Sequence, residues 1–417
     1  MSSFSIPLSG LDATQQALNV ISNNLANLNT TGFKGQTANF QDLFYQNLGT
    51  TGAGNPVQIG AGSRVGSISS NFTNGSLNNT GVPSDVAITG NGFFVTQDVN
   101  GTVFYTRAGN FTVNADGQLV TASGQTVMGY PAVQGIVNRS ATLGPLLVGQ
   151  SSISPPVATT TMEQQTNLNA SSAVGDQYSA PLTVYDSLGS PHVLNFNYTK
   201  TGTGAWDYQI TIPAADVGGS GNPVVVASGS LTFDSSGNLS SPTGSITGIS
   251  ISGLADGAAN MSLTWNLAGA GGSSLLTQVN APSATTSTNQ DGYSSGVLQS
   301  YTVQADGIIE GQFSNGQVQA LGQIALANFA NTQGLQLVGG DAYAPTLASG
   351  SAVIGVPNSG TLGTLTGGAL ESSNVNISKE FTNLIVAERA FQADARMITT
   401  LDSVSQVTIN LQASPGN

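Results

Sequence analysis

Apolar side chains recur every seven residues at both ends of this chain, and between the ends the period changes to two. Near the start Leu11, Leu18 and Leu25 are seven apart, and so are Thr14, Ile21 and Leu28. Interleaved, the two series give the alternating three–four spacing of a helix seam. Pro7 fits only the first turn of a helix, and Asn29-Thr30-Thr31-Gly32 reads as a stop, so a helix is predicted over about residues 6–28. Near the end Ile377, Leu384, Phe391 and Ile398 keep the same interval, and Phe381, Leu401, Val404 and Leu411 extend the stripe. Asn376 or Ser378 can cap this second helix, Glu380 suits the positive end of its dipole, and Pro415-Gly416 closes it.

The middle reads as β throughout. Phe93-Phe94-Val95, Thr102 to Thr106 and Phe111-Thr112-Val113 are short strands, punctuated by the hairpin signals Asn91-Gly92, Asn100-Gly101 and Asp116-Gly117. Similar turns recur at Asp186-Ser187-Leu188-Gly189, Asp234 to Gly237, Asp291-Gly292, Asp306-Gly307 and Asn315-Gly316, with no βαβ alternation. The predicted fold is mainly β with α-helical termini, in nested, discontinuous domains. Residues 1–32 and 373–417 form a coiled-coil-like helical pair for polymerisation. Residues 33–72 and 358–372 are extended linkers, the first Gly-rich and strandless. Residues 73–150 and 285–357 form an inner antiparallel β domain, and 151–284 an inserted outer one.

Composition removes most other functions. The 417 residues include 8 Lys and Arg, 21 Asp and Glu, one His and no Cys, with net charge −13. Charged residues make up 7%, against about 25% in ordinary globular chains, so the surface is built from hydroxyls and amides. Nucleic-acid binding needs basic patches, yet no Lys or Arg lies between Lys200 and Lys379. Zinc and disulfide scaffolds lack ligands, the acidic residues form no calcium loop, and Gly269-Ala270-Gly271-Gly272 lacks the Lys of a phosphate loop. No catalytic, cofactor or metal site is therefore expected. His192, following Pro191 in a strand-like run, is expected to be structural or exposed. The start lacks a basic n-region and a continuous apolar run, and no segment reaches the 18 apolar residues of a membrane span.

The terminal helices carry soft seam positions (Thr14, Ala17, Asp394), and isolated helices are marginal in water, so burial against neighbouring copies is expected to complete them. Arg389 and Arg396 share a stripe but have no opposite charge at i±3 or i±4. Their partners are expected on the other terminal helix or another subunit. The amides of Asn23, Asn24 and Asn27 are expected to set register between helices or subunits. Gly32-Phe33-Lys34 reads as the hinge leaving the first helix, with Phe33 an anchor.

Those same ends carry a resemblance. LNVISNNLANLNTTGFK (Leu18 to Lys34), GALESSNVN (Gly368 to Asn376) and ERAFQADAR (Glu388 to Arg396) resemble the axial proteins of the bacterial flagellum, and among these the hook family. GNGFF (Gly90 to Phe94), FYTRAGNF (Phe104 to Phe111) and LGQIALANF (Leu321 to Phe329) are similar to the same family. The resemblance implies a structural subunit exported unfolded by the flagellar export apparatus, without a cleavable signal. It implies polymerisation beneath a hook cap into a curved extracellular tube between the rod and the hook–filament junction, acting as a universal joint. Its partners would be copies of itself and those rod, cap and junction proteins, with no cofactor, nucleic acid or membrane insertion. A distal rod subunit has the same ends but no large insertion. A carbohydrate-binding adhesin would instead need exposed aromatic platforms, for which Trp206 and Trp265 are the only tryptophans. A hydrolase would have to assemble its catalytic set around a single His.

Overall fold

The computed structural model describes residues 4–149, 152–269 and 271–413. The chain is mainly β with one helix near each end, α1 (Ser5–Ala26) and α2 (Ile377–Ala413). Asn376 caps α2, its Oδ1 accepting from Lys379 N at 3.0 Å; Pro415 and Gly416, the expected close, lie outside the described residues. The chain divides into two compact units, one of residues 1–149, 300–311 and 319–417, the other of 150–299 and 312–318.

In the first unit the period-two pattern buries both faces of the sheet. Phe94, Phe111, Leu119, Val127, Ile324 and Leu326 share one core cluster, whereas Phe93, Val95, Tyr105, Ala327, Phe329 and Tyr343 share another. Neighbours such as Phe93 and Phe94 point to opposite faces because successive strand residues alternate. Strand Phe93–Gln97 pairs with Val103–Thr106 through the Asn100-Gly101 turn, where Gly101 adopts φ 87°. Phe94 meets Phe111 edge-on at 5.0 Å, and Tyr105 meets Phe329 at 4.8 Å.

Two five-stranded sheets dominate the described residues of the second unit. One is a meander of Gln177–Tyr185, Pro191–Gly202, Ala205–Ile212, Val224–Phe233 and Leu239–Ser241. In the other, Thr161–Asn167 lies parallel to Met261–Asn266 and Leu276–Thr277 and antiparallel to Ala284–Gln290. Alternation is clear along Pro191–Gly202, where every second residue from His192 to Lys200 is buried. Trp265 sits at the centre, edge-on to Phe196 at 4.9 Å and to Tyr208 at 5.3 Å. Both tryptophans are buried, so neither offers the exposed platform that an adhesin requires.

Three boundaries differ from expectation. Residues 33–72 are not strandless: β1 (Gln36–Asp42), β2 (Tyr45–Thr50), β3 (Pro56–Gly60) and β4 (Ser63–Ser70) form a two-stranded ribbon, β1 with β4 and β2 with β3. Gly49 follows a bulge at Leu48 and Gly54 lies in the turn, and the β2 and β3 strands are exposed, so no burial pattern betrays them. The 358–372 linker is woven into the fold, Thr364–Gly367 pairing with Val86–Thr89 and Ala369–Glu371 with Leu77–Asn79. The insertion runs past 284, because Ala284–Gln290 pairs with Thr161–Asn167. That strand, ATTSTNQ, is polar and mostly exposed, which hid it from hydrophobic patterning.

Replacing Trp265 by Ala should destabilise the second unit by about 3–5 kcal/mol. Urea unfolding followed by the fluorescence of Trp206 checks this; a loss below about 1 kcal/mol would contradict the central packing role.

Candidate assembly surface and its anchor

The terminal helices pack antiparallel. Near the start of α1, a Cβ on Gly10 would lie 2.9 Å from Asp394 Oδ2 of α2; further along, Ile21 of α1 lines a groove with Glu380 and Asn383 near the start of α2. Close approach needs small side chains, and the buried residues of α1 are Pro7, Ala13, Ala17, Val20 and Asn24. The residues of the expected seam are left partly uncovered within one chain. Leu11, Leu18, Ile21, Leu25 and Leu28 are only half-buried, as are Leu384, Phe391, Ile398 and Leu401, while Ile377, Phe381 and Val404 are exposed. A crossing at which Gly10 meets Asp394 leaves these stripes only partly covered.

Geometry explains the rest. At 1.5 Å per residue α2 is about 55 Å long and α1 about 33 Å. Since Gly10 already faces Asp394, the last turns of α2 overhang α1. Val404, Val407, Ile409 and Leu411 are accordingly exposed, Leu411 by 73%. The ribbon adds Phe40, Phe44, Tyr45, Leu48 and Ile59, with Phe44 90% exposed. A groove between α1, β1 and α2 is lined by Ile21, Ala38, Phe40, Val386 and Ala390 among others. Apolar side chains exposed in such number suit an interaction surface.

Polar seam residues divide. The Asn24 amide is consumed within the chain: Nδ2 donates to the Gln36 carbonyl at 2.7 Å and Oδ1 accepts from Gln36 N at 2.9 Å, pinning β1 to α1. It therefore fixes register inside the subunit rather than between subunits. Asn27 Nδ2 turns back to the Asn23 carbonyl at 2.9 Å and to Asn23 Oδ1 at 3.2 Å. Arg389 and Arg396 are exposed and line an open groove with Met397, Thr400 and Leu401. Among the described residues neither pairs with a carboxylate, so α1 of the same chain is not their partner.

Gly32-Phe33-Lys34, read as a hinge, is held by close and buried contacts. Gly32 has φ 71°, donates its N–H to the Glu371 carbonyl at 2.8 Å, and presses on the backbone of Arg107, whose carbonyl carbon would be 2.6 Å from any Cβ there. Phe33 is half-buried. The Lys34 ammonium donates to Glu371 Oε1 at 2.7 Å and to the Thr73 carbonyl at 2.9 Å, with both side chains of the ion pair fully buried. Glu371 Oε1 also accepts from Gly75 N at 2.8 Å, and its Oε2 lies 3.6 Å from Arg107 Nη1. Arg107 donates to the Gly90 carbonyl at 2.8 Å and lies over the Phe93 ring. Burial lowers the pKa of Lys34, against the pull of its bond to Glu371, and the Arg107 charge lowers it further. Alongside, Asn374 accepts from Gly35 N and donates to the carbonyls of Asn71 and Thr73.

Thus the start of the chain, its last segment before α2 and the β core of the first unit meet at one carboxylate. Glu371, Asn374 and Arg107 were missed as functional residues. Lys34 and Glu371 are 337 positions apart, and only the rarity of charge in this chain singles them out.

Comparison with known proteins agrees along the whole chain. The family model described as flagella basal body rod protein matches residues 6–34, flagellar hook protein FlgE/F/G D1 domain matches 87–167, flagellar basal body protein FlaE D2 domain matches 157–293, and flagellar basal body rod FlgEFG protein C-terminal matches 366–411. The flagellar hook protein FlgE of Salmonella typhimurium is 37% identical over 427 residues, covering 98% of this chain and all of that protein. The Treponema pallidum flagellar hook protein FlgE is 33% identical over 455 residues, covering 97% of this chain and 98% of that one. The crystal structure of Helicobacter pylori flagellar hook protein FlgE2 aligns with TM-score 0.50 and 17% identity over 71% of this chain and 99% of that chain, a likeness of fold. The molecule is a structural component of the bacterial flagellum. The chain belongs to the flagellar hook protein family, whose members build the hook.

Substituting Glu371 by Gln leaves two buried cations short of their partner and should cost the first unit about 3–5 kcal/mol. Both tryptophans lie in the second unit, so the circular-dichroism transition should split away from an unchanged Trp fluorescence transition. A single coincident transition at the wild-type midpoint would contradict the anchor.

Proposed function

We propose that this chain polymerises through its terminal helices into a curved, flexible tube that carries torque from rod to filament as a universal joint. The observation that carries this reading is the uncovered apolar surface on both terminal helices and the ribbon, held on a base fixed by Glu371. In such a tube the helices supply continuity by apolar packing, and Arg389 and Arg396 find carboxylates on a neighbouring copy. The hydroxyl- and amide-rich β units slide past one another because polar, wet contacts are weak per unit area. Bending then proceeds by shear between repeated units. The rod, hook cap and junction proteins are its neighbours along the axis, and the flagellar export apparatus is its route outward. The insertion matched by the D2 model favours a hook subunit over a distal rod subunit.

Phe381→Asp places a charge on the exposed face of α2 and touches no core. It should leave monomer stability within about 0.5 kcal/mol of wild type and abolish tubes. Sedimentation and electron microscopy after salting out check this; normal tubes from that variant would refute the assignment of the face. Deleting residues 152–299 should leave tubes that differ in curvature or stiffness, and normally curved tubes would remove the role given to the second unit.

A further inference from the structure

The chain's one histidine lies in the second unit. His192 is 6% exposed, and both of its ring nitrogens face carboxylates: Nε2 lies 3.1 Å from Asp186 Oδ2 and Nδ1 3.0 Å from Asp216 Oδ2. A neutral imidazole has one N–H and one lone pair, so one of these contacts would set lone pair against lone pair. Only the imidazolium, with two N–H donors, satisfies both.

The carboxylates come from three separate segments. Asp186 opens the turn after Gln177–Tyr185, its Oδ1 accepting from Leu188 N at 2.8 Å and Ser190 N at 2.9 Å. Asp216 lies in the 3-10 turn Ala214–Val217. Asp256 lies in the loop beyond Ile246–Ile251, with a carboxylate oxygen within 4.8 Å of one of Asp186 and of a ring nitrogen of His192. That loop is tied to the other two segments by Ala255 N to the Asp216 carbonyl at 2.9 Å and Ala259 N to Ser187 Oγ at 3.0 Å. Asp186, Asp216 and Asp256 are the charged groups facing the ring, and among the described residues no Lys or Arg is ion-paired with them. Burial opposes ionisation of Asp186, yet its hydrogen bonds to Asp256, His192 and the turn backbone hold it at about 2. For His192, burial works against the charged form, but the bonds to Asp216 and Asp186 and their charges prevail and raise its pKa.

We propose that His192 is a proton-operated clamp: charged, it gathers three loops of the second unit, and neutral, it leaves Asp186 and Asp216 without its positive charge and frees the Asp256 loop. A group whose pKa is raised on folding stabilises the fold fully below its unfolded value, about 6.5 for histidine. That stabilisation fades as pH rises through the folded value. The clamp therefore gives this unit a response to alkaline surroundings that assembly itself does not require.

Since His192 is the sole histidine, the imidazole nitrogen resonances of the full chain report on it alone. A titration should find both nitrogens protonated at neutral pH, with a midpoint above about 6.5. Amide exchange in residues 252–259, corrected for its intrinsic pH dependence, should speed up by about tenfold for each unit by which that midpoint is raised. His192→Gln should remove this step, and Asp216→Asn should lower the midpoint. A midpoint at or below about 6.5 would overturn the proposal, as would loop exchange indifferent to the midpoint. So would a ring resonance that moves when a chelator is added at constant pH, which would make the cluster a cation site. If His192→Gln fails to fold, the wild-type titration and Asp216→Asn still decide.

Discussion

The contact on which the rest depends is the close crossing of α1 and α2. Gly10 lets the helices approach, with Asp394 against it, and the larger side chains are left only partly covered. A seam of leucines meeting leucines would have finished each helix within the subunit. Here Leu18, Leu25, Phe391 and Ile398 stay half-covered and the end of α2 is bare. Helices draw most of their stability from packing an apolar face rather than from propensity. The ends of this chain therefore leave apolar surface uncovered, which suits a family of hook subunits.

Incomplete ends need a firm base. The buried carboxylate of Glu371 supplies it by holding Lys34 from one end of the chain beside Arg107 of the β core, within a segment paired to Leu77–Asn79. Buried ion pairs seldom add net stability over an apolar equivalent, but breaking one is costly, so they specify geometry. The direction in which both helices leave the β core is thereby set before any neighbour arrives. Asn24 serves the same end by fastening the ribbon to α1.

The periodic parts of this fold were legible in the amino-acid sequence, and its polar parts were not. Heptads at Leu11 to Leu25 and at Ile377 to Ile398 locate α1 and α2, and Asn-Gly turns locate the hairpins near Phe93. Yet heptad spacing says only that a stripe exists. It does not say which flank faces the partner, and the buried flank proved to be that of Ala13 and Ala17. The ribbon of residues 36–70 and the strand Ala284–Gln290 were unreadable for a common reason: backbone pairing holds them with little burial, so no alternation records their faces. Glu371 was unreadable because its meaning lies in contacts with Lys34, Gly75 and Arg107, far away in sequence. Asn23, Asn24 and Asn27 look alike in the chain, and only the position of Gln36 separates Asn24 from the other two.

Hydrogen exchange along α2, in the dilute monomer and in assembled tubes, tests most directly whether the ends are completed by neighbours. Amides from about residue 398 to 411 should exchange within seconds in the monomer and become protected by several orders of magnitude in the tube, while residues 369–371 stay protected in both. Equal and strong protection of that stretch in the two states would mean that the subunit completes its own ends, and would contradict the central claim.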